Sequence, residues 1–193
     1  MAGDGVAFVL TAGDPGCRAA GAAVWPGVPL QSLTRDDLRP RAPFEGPLFD
    51  LLAARARAES VGLVVTAVWA REAGEGPAAG DLVPIADHVG LEERGPLTGR
   101  WPAGVPRDFP SMTGVYQPSD VRSCDGARVY SSGVVAAGVS GARRLTRFEA
   151  LAVREEGWPI VSDSLVPAAI VAAYHGLRLA ACVLVQAPRY DRE

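Results

Sequence analysis

Three adjacent polar residues, Ser162, Asp163 and Ser164, are the best candidates for chemistry in this sequence. They separate a short apolar run from a helix-forming run that begins near Pro167 and is apolar almost all round. Serine and aspartate are typical turn and N-cap residues, and proline fits a first helical turn. The unpaired N–H groups and the dipole of a helix start favour an anion. We therefore predict that Ser164 binds an anion such as phosphate. Asp163 could activate water or orient a hydroxyl, although its charge would repel the same anion.

The elements that position these residues form a strand–turn–helix–strand unit between Gly157 and Gln186. Pro159 to Val161 is predicted to be a short strand, and Ala168 to Tyr174 a buried helix that stops at Gly176. Leu177 to Val185 contains no alternation of polar residues, which is typical of a strand covered on both faces. The unit therefore indicates an α/β sheet.

Further elements are predicted upstream from apolar runs and turn signals. Residues 21–46 are rich in Pro, Gly and Arg and are predicted to be loop or surface cover. Residues 91–117 contain four prolines, and so long a loop is usually functional or an interface. The predicted strands are Val6 to Thr11, Leu63 to Thr66, Asp81 to His88 and Arg128 to Val135, and the predicted helices are Pro47 to Glu59 and one running from a Thr146–Glu149 capping box to Glu156.

The composition places outer bounds on function. The chain of 193 residues suits one domain with a sizeable core. Hydrophobic residues make up 48% of it without a long uninterrupted apolar run, and no signal peptide is recognisable, so we expect a cytoplasmic protein without a membrane partner. The net charge of −3 argues against a nucleic-acid partner. Cys17, Cys124 and Cys182 are scattered, which indicates thiols rather than a disulfide or a metal site.

Two stretches of the chain resemble trimeric purine nucleoside phosphorylases and methylthioadenosine phosphorylases. The run from Val161 to Arg178, VSDSLVPAAIVAAYHGLR, is similar to the C-terminal signature of that family. Upstream, Gly80 to His88 (GDLVPIADH), Gly95 to Gly99 (GPLTG) and Asp108 to Met112 (DFPSM) follow one another in the family's order. The resemblance covers roughly residues 60–186.

This resemblance implies an α/β fold with a mixed, mostly parallel central sheet and helices on both faces. It implies a single domain over residues 1–193, shortened in its N-terminal part and at its C-terminus relative to the family. It also implies that the protein is a glycosyltransferase (pentosyltransferase) of purine metabolism that binds a nucleoside or a base. Inorganic phosphate would be the co-substrate, and no other cofactor or metal is expected. The family associates as homotrimers through the region that corresponds to residues 91–117.

Several residue roles follow from the same resemblance. Ser164 stands at a phosphate-binding serine, and Gly13 lies in the loop that grips phosphate, unless that loop is an ordinary βα turn. Gln186 stands at the position of an asparagine whose amide hydrogen-bonds the purine in the family. The amide of Gln186 lies one carbon further from the backbone and offers the same donor and acceptor. Trp69 replaces phosphate-binding glycines and is either a packed indole or an aromatic wall for a planar ligand. Arg144 stands at a phenylalanine near the base, and it either binds an anion or is a solvated charge.

The chain also departs from the family at the site. Asp163 replaces a ribose-contacting methionine, Leu145 replaces a glutamate that hydrogen-bonds the base, and no arginine–histidine pair for phosphate is recognisable. Asp87 and His88 point to opposite faces of a strand and are predicted to be architectural rather than a catalytic dyad. Two hypotheses remain. One is a divergent enzyme that cleaves N-glycosides by phosphorolysis or hydrolysis with altered or impaired activity, and the other is a non-catalytic homologue that binds a ligand or assembles.

Overall fold

The computed structural model describes residues 6–38, 44–55, 60–70, 76–91, 95–99, 101–105, 108–121, 128–130, 133–139 and 145–186. Within them lie seven strands, four α-helices and a short 3₁₀ turn at Pro118–Asp120. The strands are β1 (Val6–Ala12), β2 (Leu30–Leu33), β3 (Ser60–Trp69), β4 (Leu82–Gly90), β5 (Val134–Gly138), β6 (Ile160–Ser162) and β7 (Arg178–Gln186). The helices are α1 (Pro15–Val24), α2 (Pro47–Ala54), α3 (Arg147–Glu155) and α4 (Leu165–Tyr174).

The sheet is built around β3, which pairs with three other strands. It is parallel to β1 and β7 and antiparallel to β6. β7 also pairs with β4, β4 with β5, and β5 with β6, so five strands form a closed ring that β1 and β2 extend. Only the β3–β6 and β4–β7 pairings are antiparallel among the described strands. This confirms the prediction of a mixed, mostly parallel sheet.

Helices cover both faces of this sheet. A Cβ added to Gly21 of α1 would lie 3.0 Å from the side chain of Thr11 and 3.2 Å from that of Val9, so α1 packs closely on one face of β1. The adjacent Phe8 points to the other face, where the guanidinium carbon of Arg55, at the end of α2, lies 4.8 Å from its ring. α2 in turn packs against α4. The prediction of helices on both faces is therefore confirmed.

The ends of β1 and β6 run towards each other along one edge of β3. β7 pairs with the whole opposite edge, from Ser60 to Val68, so both β1 and β6 must use the remaining edge. β1 runs parallel to β3 and reaches Val64, whereas β6 runs antiparallel and begins beside Trp69. The carboxyl ends of the two strands, and the turns that follow them, therefore meet beside the middle of β3.

The region predicted to be loop contains two regular elements. α1 extends to Val24 and buries Cys17, Ala20, Gly21 and Val24, while β2 pairs with β1 over its full length of four residues. Small residues in α1 and polar residues in β2 concealed both from a search for apolar runs. The prediction for residues 21–46 is therefore wrong at these two elements.

One strand boundary also differs from the prediction. The strand placed at Arg128 to Val135 is β5, which runs from Val134 to Gly138, and Val129 forms only an isolated bridge with Leu82. The later start follows from pairing, because β5 must lie level with both β4 and β6. The capping box that starts α3 is confirmed, with reciprocal hydrogen bonds between Thr146 and Glu149.

Candidate functional site

Asp163 lies just beyond β6 and is almost completely buried, with 1% of its surface exposed. Its carboxylate forms an ion pair with the guanidinium of Arg35. Arg35 follows β2, in a turn where the Thr34 hydroxyl donates to the Asp37 carboxylate at 2.6 Å and the Asp37 N–H donates to the Thr34 hydroxyl at 3.1 Å. β2 and β1 end side by side, with Ala12 opposite Leu33. Arg35, two residues beyond β2, therefore lies near the place where the ends of β1 and β6 meet.

Ser164 is the N-cap residue of α4, but its side chain makes no capping hydrogen bond. Its hydroxyl oxygen is buried and has no hydrogen-bond partner among the described residues. The neighbouring Ser162 hydroxyl donates to the Thr66 carbonyl at 3.0 Å and accepts from the Leu165 N–H at 3.4 Å. The start of α4 therefore holds a buried hydroxyl, that of Ser164, which the described residues do not engage in a hydrogen bond.

Gly13 lies in the turn between β1 and α1, beside the strand end that leads to Arg35. A Cβ added to Gly13 would lie 3.4 Å from the Leu33 carbonyl oxygen and 3.7 Å from the Cα of Thr34. The start of α1 is occupied by the chain itself, because the Asp14 carboxylate accepts from the Gly16 N–H at 2.8 Å. Thr11, the only hydroxyl next to this loop in the sequence, is buried and lies 2.8 Å from the Ser32 hydroxyl.

Trp69 and Gln186 lie at the ends of adjacent parallel strands. Gln186 is opposite Val68, and Trp69 is opposite Ile160 at the start of β6. Asp163 follows three residues after Ile160, which corresponds to about 10 Å of extended chain. Gly76 packs directly on the indole, since a Cβ added there would lie 2.5 Å from Cζ2 of Trp69. Part of the ring that could serve as an aromatic wall is therefore covered by the chain.

Arg144 lies outside the described residues. Its neighbour Leu145 is half-buried and packs with Val139 and Trp158 against a small apolar cluster that includes Val153 of α3. Leu145, which corresponds to a glutamate that hydrogen-bonds the base in the family, thus packs in an apolar cluster and offers no acceptor.

His88 takes part in a structural hydrogen bond. Its Nδ1 lies 2.8 Å from the hydroxyl of Tyr116, while Asp87 is exposed on the other face of β4. Burial lowers the pKa of His88, partly offset by the nearby Asp87, and burial raises the pKa of Tyr116. The pair joins β4 to the segment around Tyr116, which bridges to Leu179 of β7.

The described part of the chain contains no group of three or more His, Cys, Asp or Glu side chains placed to hold a metal ion. No helix among the described residues is long and apolar enough to cross a membrane.

Solved structures of purine nucleoside phosphorylases share this architecture. The Schistosoma mansoni enzyme with a monocyclic inhibitor aligns at a TM-score of 0.54 and 18% identity, over 70% of this chain and 55% of that chain. The same enzyme with inosine aligns at 0.52 and 17% identity, over 68% and 51%. Its isoform 2 with cytosine and ribose-1-phosphate aligns at 0.52 and 19% identity, over 69% and 51%.

The chain has a purine nucleoside phosphorylase-like fold. It spans about half the length of the solved chains that it matches. No family model and no curated protein matches the sequence. At 17–19% identity the likeness is one of fold.

Arg35 is the site residue that the sequence did not reveal. It lies in a segment predicted to be loop, and no short motif connects it to Asp163, which follows 128 positions later (163 minus 35). The signal that could have exposed it is β2, because a strand paired with β1 must deliver the next residues to the same edge of the sheet.

Proposed function

We propose that this protein binds a purine nucleoside or its free base and cleaves the N-glycosidic bond slowly, transferring the pentosyl group to water or phosphate. The observation that carries the proposal is the ion pair of Arg35 with the buried carboxylate of Asp163, next to the buried Ser164 hydroxyl, where the ends of β1 and β6 meet. The phosphorylase-like neighbours with inosine and hypoxanthine support a nucleoside as the ligand class.

The chemistry of the proposal requires a fixed negative charge. Cleavage of an N-glycoside passes through an oxocarbenium-like state, in which positive charge develops on the sugar. A buried carboxylate held by Arg35 is preorganised to stabilise that charge or to orient a hydroxyl or a water molecule. Gln186 offers an amide donor and acceptor for the base at the end of β7.

The same site explains why activity would be low. Leu145 packs into an apolar cluster instead of offering an acceptor to the base. The indole of Trp69 is partly covered by Gly76. Fewer polar contacts then stabilise the leaving base, so the site retains charge stabilisation at the sugar and loses much of its hold on the purine.

The proposal is tested by following base release from inosine and guanosine, with and without phosphate, by chromatography. We expect measurable but slow release, and without phosphate it should fall at least about tenfold in Asp163→Asn. Asp50→Asn, which changes an exposed carboxylate on α2, serves as the control and should leave the rate unchanged. No binding of nucleoside or base in a calorimetric titration, together with no base release, would refute the proposal.

A second candidate function is assembly without catalysis, and an exposed aromatic side chain favours it. Phe109 is 68% exposed, and its ring lies 5.6 Å from that of Trp101 within the segment that the resemblance assigns to a trimer contact. Aromatic residues are enriched in interface cores, and the resemblance implies a trimer, so we expect a homotrimer. Light scattering at micromolar concentration tests it: Phe109→Ser should weaken the assembly, whereas a wild-type mass of 20.1 kDa would exclude one.

A further inference from the structure

A guanidinium, a buried carboxylate and a buried hydroxyl come from the turns that follow β2 and β6 and from the start of α4. Arg35 reaches this point from the turn after β2, and the Ser164 hydroxyl is buried there without a hydrogen-bond partner among the described residues. The carboxylate of Asp163 is buried beside them, paired with Arg35. We propose that Asp163 is a specificity-determining residue: its carboxylate is the resident anion of this site, and it excludes inorganic phosphate.

The groups at this place include partners that an oxyanion prefers. A guanidinium is a strong partner for an oxyanion, and a serine hydroxyl can donate one more hydrogen bond. The start of α4 adds the favourable end of its helix dipole. The burial of the Ser164 oxygen without a partner among the described residues is costly, and a ligand that hydrogen-bonds to this hydroxyl would relieve that cost.

The carboxylate and a phosphate cannot occupy this site together. The side chain of Asp163 is 2% exposed, so its charge is poorly screened, and Arg35 is the cation paired with it. A second anion at the same place would face the buried carboxylate at short range, where repulsion is strong. We therefore expect a phosphate ion to bind here when the carboxylate charge is removed.

This inference rests on the proposed function for its consequence, which concerns the acceptor of the pentosyl group. With phosphate excluded, water is the acceptor. The bond between the sugar C1′ and the base nitrogen breaks, and a bond from the water oxygen to C1′ forms. One proton of that water passes to Asp163 and then to the departing base, so the products are the free sugar and the neutral base.

The test uses inorganic phosphate alone, titrated calorimetrically into the wild type and Asp163→Asn at an ionic strength held constant with chloride. We expect Asp163→Asn to bind phosphate at least about tenfold more tightly than the wild type. The double variant Asp163→Asn with Arg35→Gln should lose this gain. Asp50→Asn, an exposed carboxylate on α2, should bind phosphate no better than the wild type.

Thermal unfolding provides a second readout if Asp163→Asn is unstable. Phosphate should raise its melting temperature more than chloride does, while the wild type responds equally to both salts. Equal phosphate affinity in the wild type and Asp163→Asn would overturn the inference. So would a folded Asp163→Asn that binds no phosphate, or one that unfolds equally in both salts. Because no nucleoside is present, these results are independent of whether the chain binds or cleaves one.

Discussion

The ion pair between Arg35 and Asp163 has a consequence for stability that can be measured without a ligand. Arg35→Met would remove a cation from a carboxylate that is 2% exposed. Removal of one partner from a fully buried pair costs about 3–5 kcal/mol. The side chain of Arg35 is 36% exposed, so water offsets part of this, and we expect a loss of about 2 kcal/mol in the free energy of unfolding.

Urea unfolding measures this loss, and Arg154→Met is the matched control. Arg154 pairs with Glu155, whose side chain is 73% exposed, and such surface pairs contribute less than about 1 kcal/mol. Equal losses in the two variants would show that the Arg35–Asp163 pair behaves as a surface contact.

The two histidines predict how stability depends on pH. Burial lowers the pKa of both His88 and His175 below the ordinary value of 6.5. As the pH falls, the unfolded chain takes up these protons first, so the unfolded state binds more protons between pH 6.5 and the lower folded pKa values. The free energy of unfolding should therefore decrease as the pH falls below 6.5.

The measurement is urea unfolding at several pH values between about 7 and 5, where most carboxylates stay ionised. The double variant His88→Gln with His175→Gln should show a flatter dependence than the wild type over this window. The carboxylates titrate in both proteins and provide the internal control. A wild type whose stability increased towards pH 5 would contradict the prediction.

Single-residue predictions from the sequence depended on local signals. Ser162 to Ser164 could be placed at the start of a helix because turn and N-cap preferences act over a few residues. The resemblance added roles for Gly13, Trp69 and Gln186, which remain predictions. The Arg35–Asp163 contact could not be inferred, because it joins residues far apart in the chain and depends on the pairing of β2 with β1.

At the level of elements, two glycines fix the approach of α4 to the ring of strands. Gly90 of β4 and Gly138 of β5 are paired, and both face Val166 in the first turn of α4. A Cβ on Gly138 would lie 2.5 Å from Cγ2 of Val166, and one on Gly90 would lie 3.7 Å from Cγ1. Because valine is stiff at χ1, the first contact cannot be relieved by a small rotation.

We therefore expect Gly138→Ala to lower the free energy of unfolding by about 1–3 kcal/mol through overpacking. Gly90→Ala is the matched control and should change it by less than about 1 kcal/mol. Adding Val166→Ala to Gly138→Ala should restore part of the loss, which urea unfolding of the three variants and the wild type would show. Equal effects of the two glycine substitutions would contradict the close approach.

The elements that the sequence predicted well are the ones that bury long apolar runs. β3, β4, β7 and α4 were placed within a few residues, because a buried strand or helix has to be apolar along its length. α1 and β2 were missed for the opposite reason. α1 buries mainly small side chains, and β2 is an edge strand whose residues are exposed or half-buried.

At the scale of the whole molecule, the closed ring of strands explains how a short chain can assemble this site. β3 pairs with β7 along one edge and leaves the other edge to two strands of opposite direction. Their ends meet where Arg35 follows β2, Asp163 follows β6 and Ser164 caps α4. The resemblance predicted the mostly parallel sheet, but the meeting of β1 and β6 could not be read from strand patterns, because register and direction are set by tertiary packing.

The whole protein should be a poor phosphorylase of inosine. Asp163 pairs with the arginine available to an oxyanion, and Leu145 packs into an apolar cluster at the position of a base-reading glutamate. Loss of one preorganised contact to the transition state typically lowers a rate by about a hundred- to a thousand-fold. From ordinary turnover numbers of roughly 1–1000 per second, we expect phosphorolysis below about 0.1 per second.

This rate is measured by chromatography of the hypoxanthine and ribose-1-phosphate that are released in phosphate buffer. Leu145→Glu with Asp163→Met should raise it, since these changes supply an acceptor for the base and release Arg35. Wild-type turnover within tenfold of the ordinary range would refute this prediction.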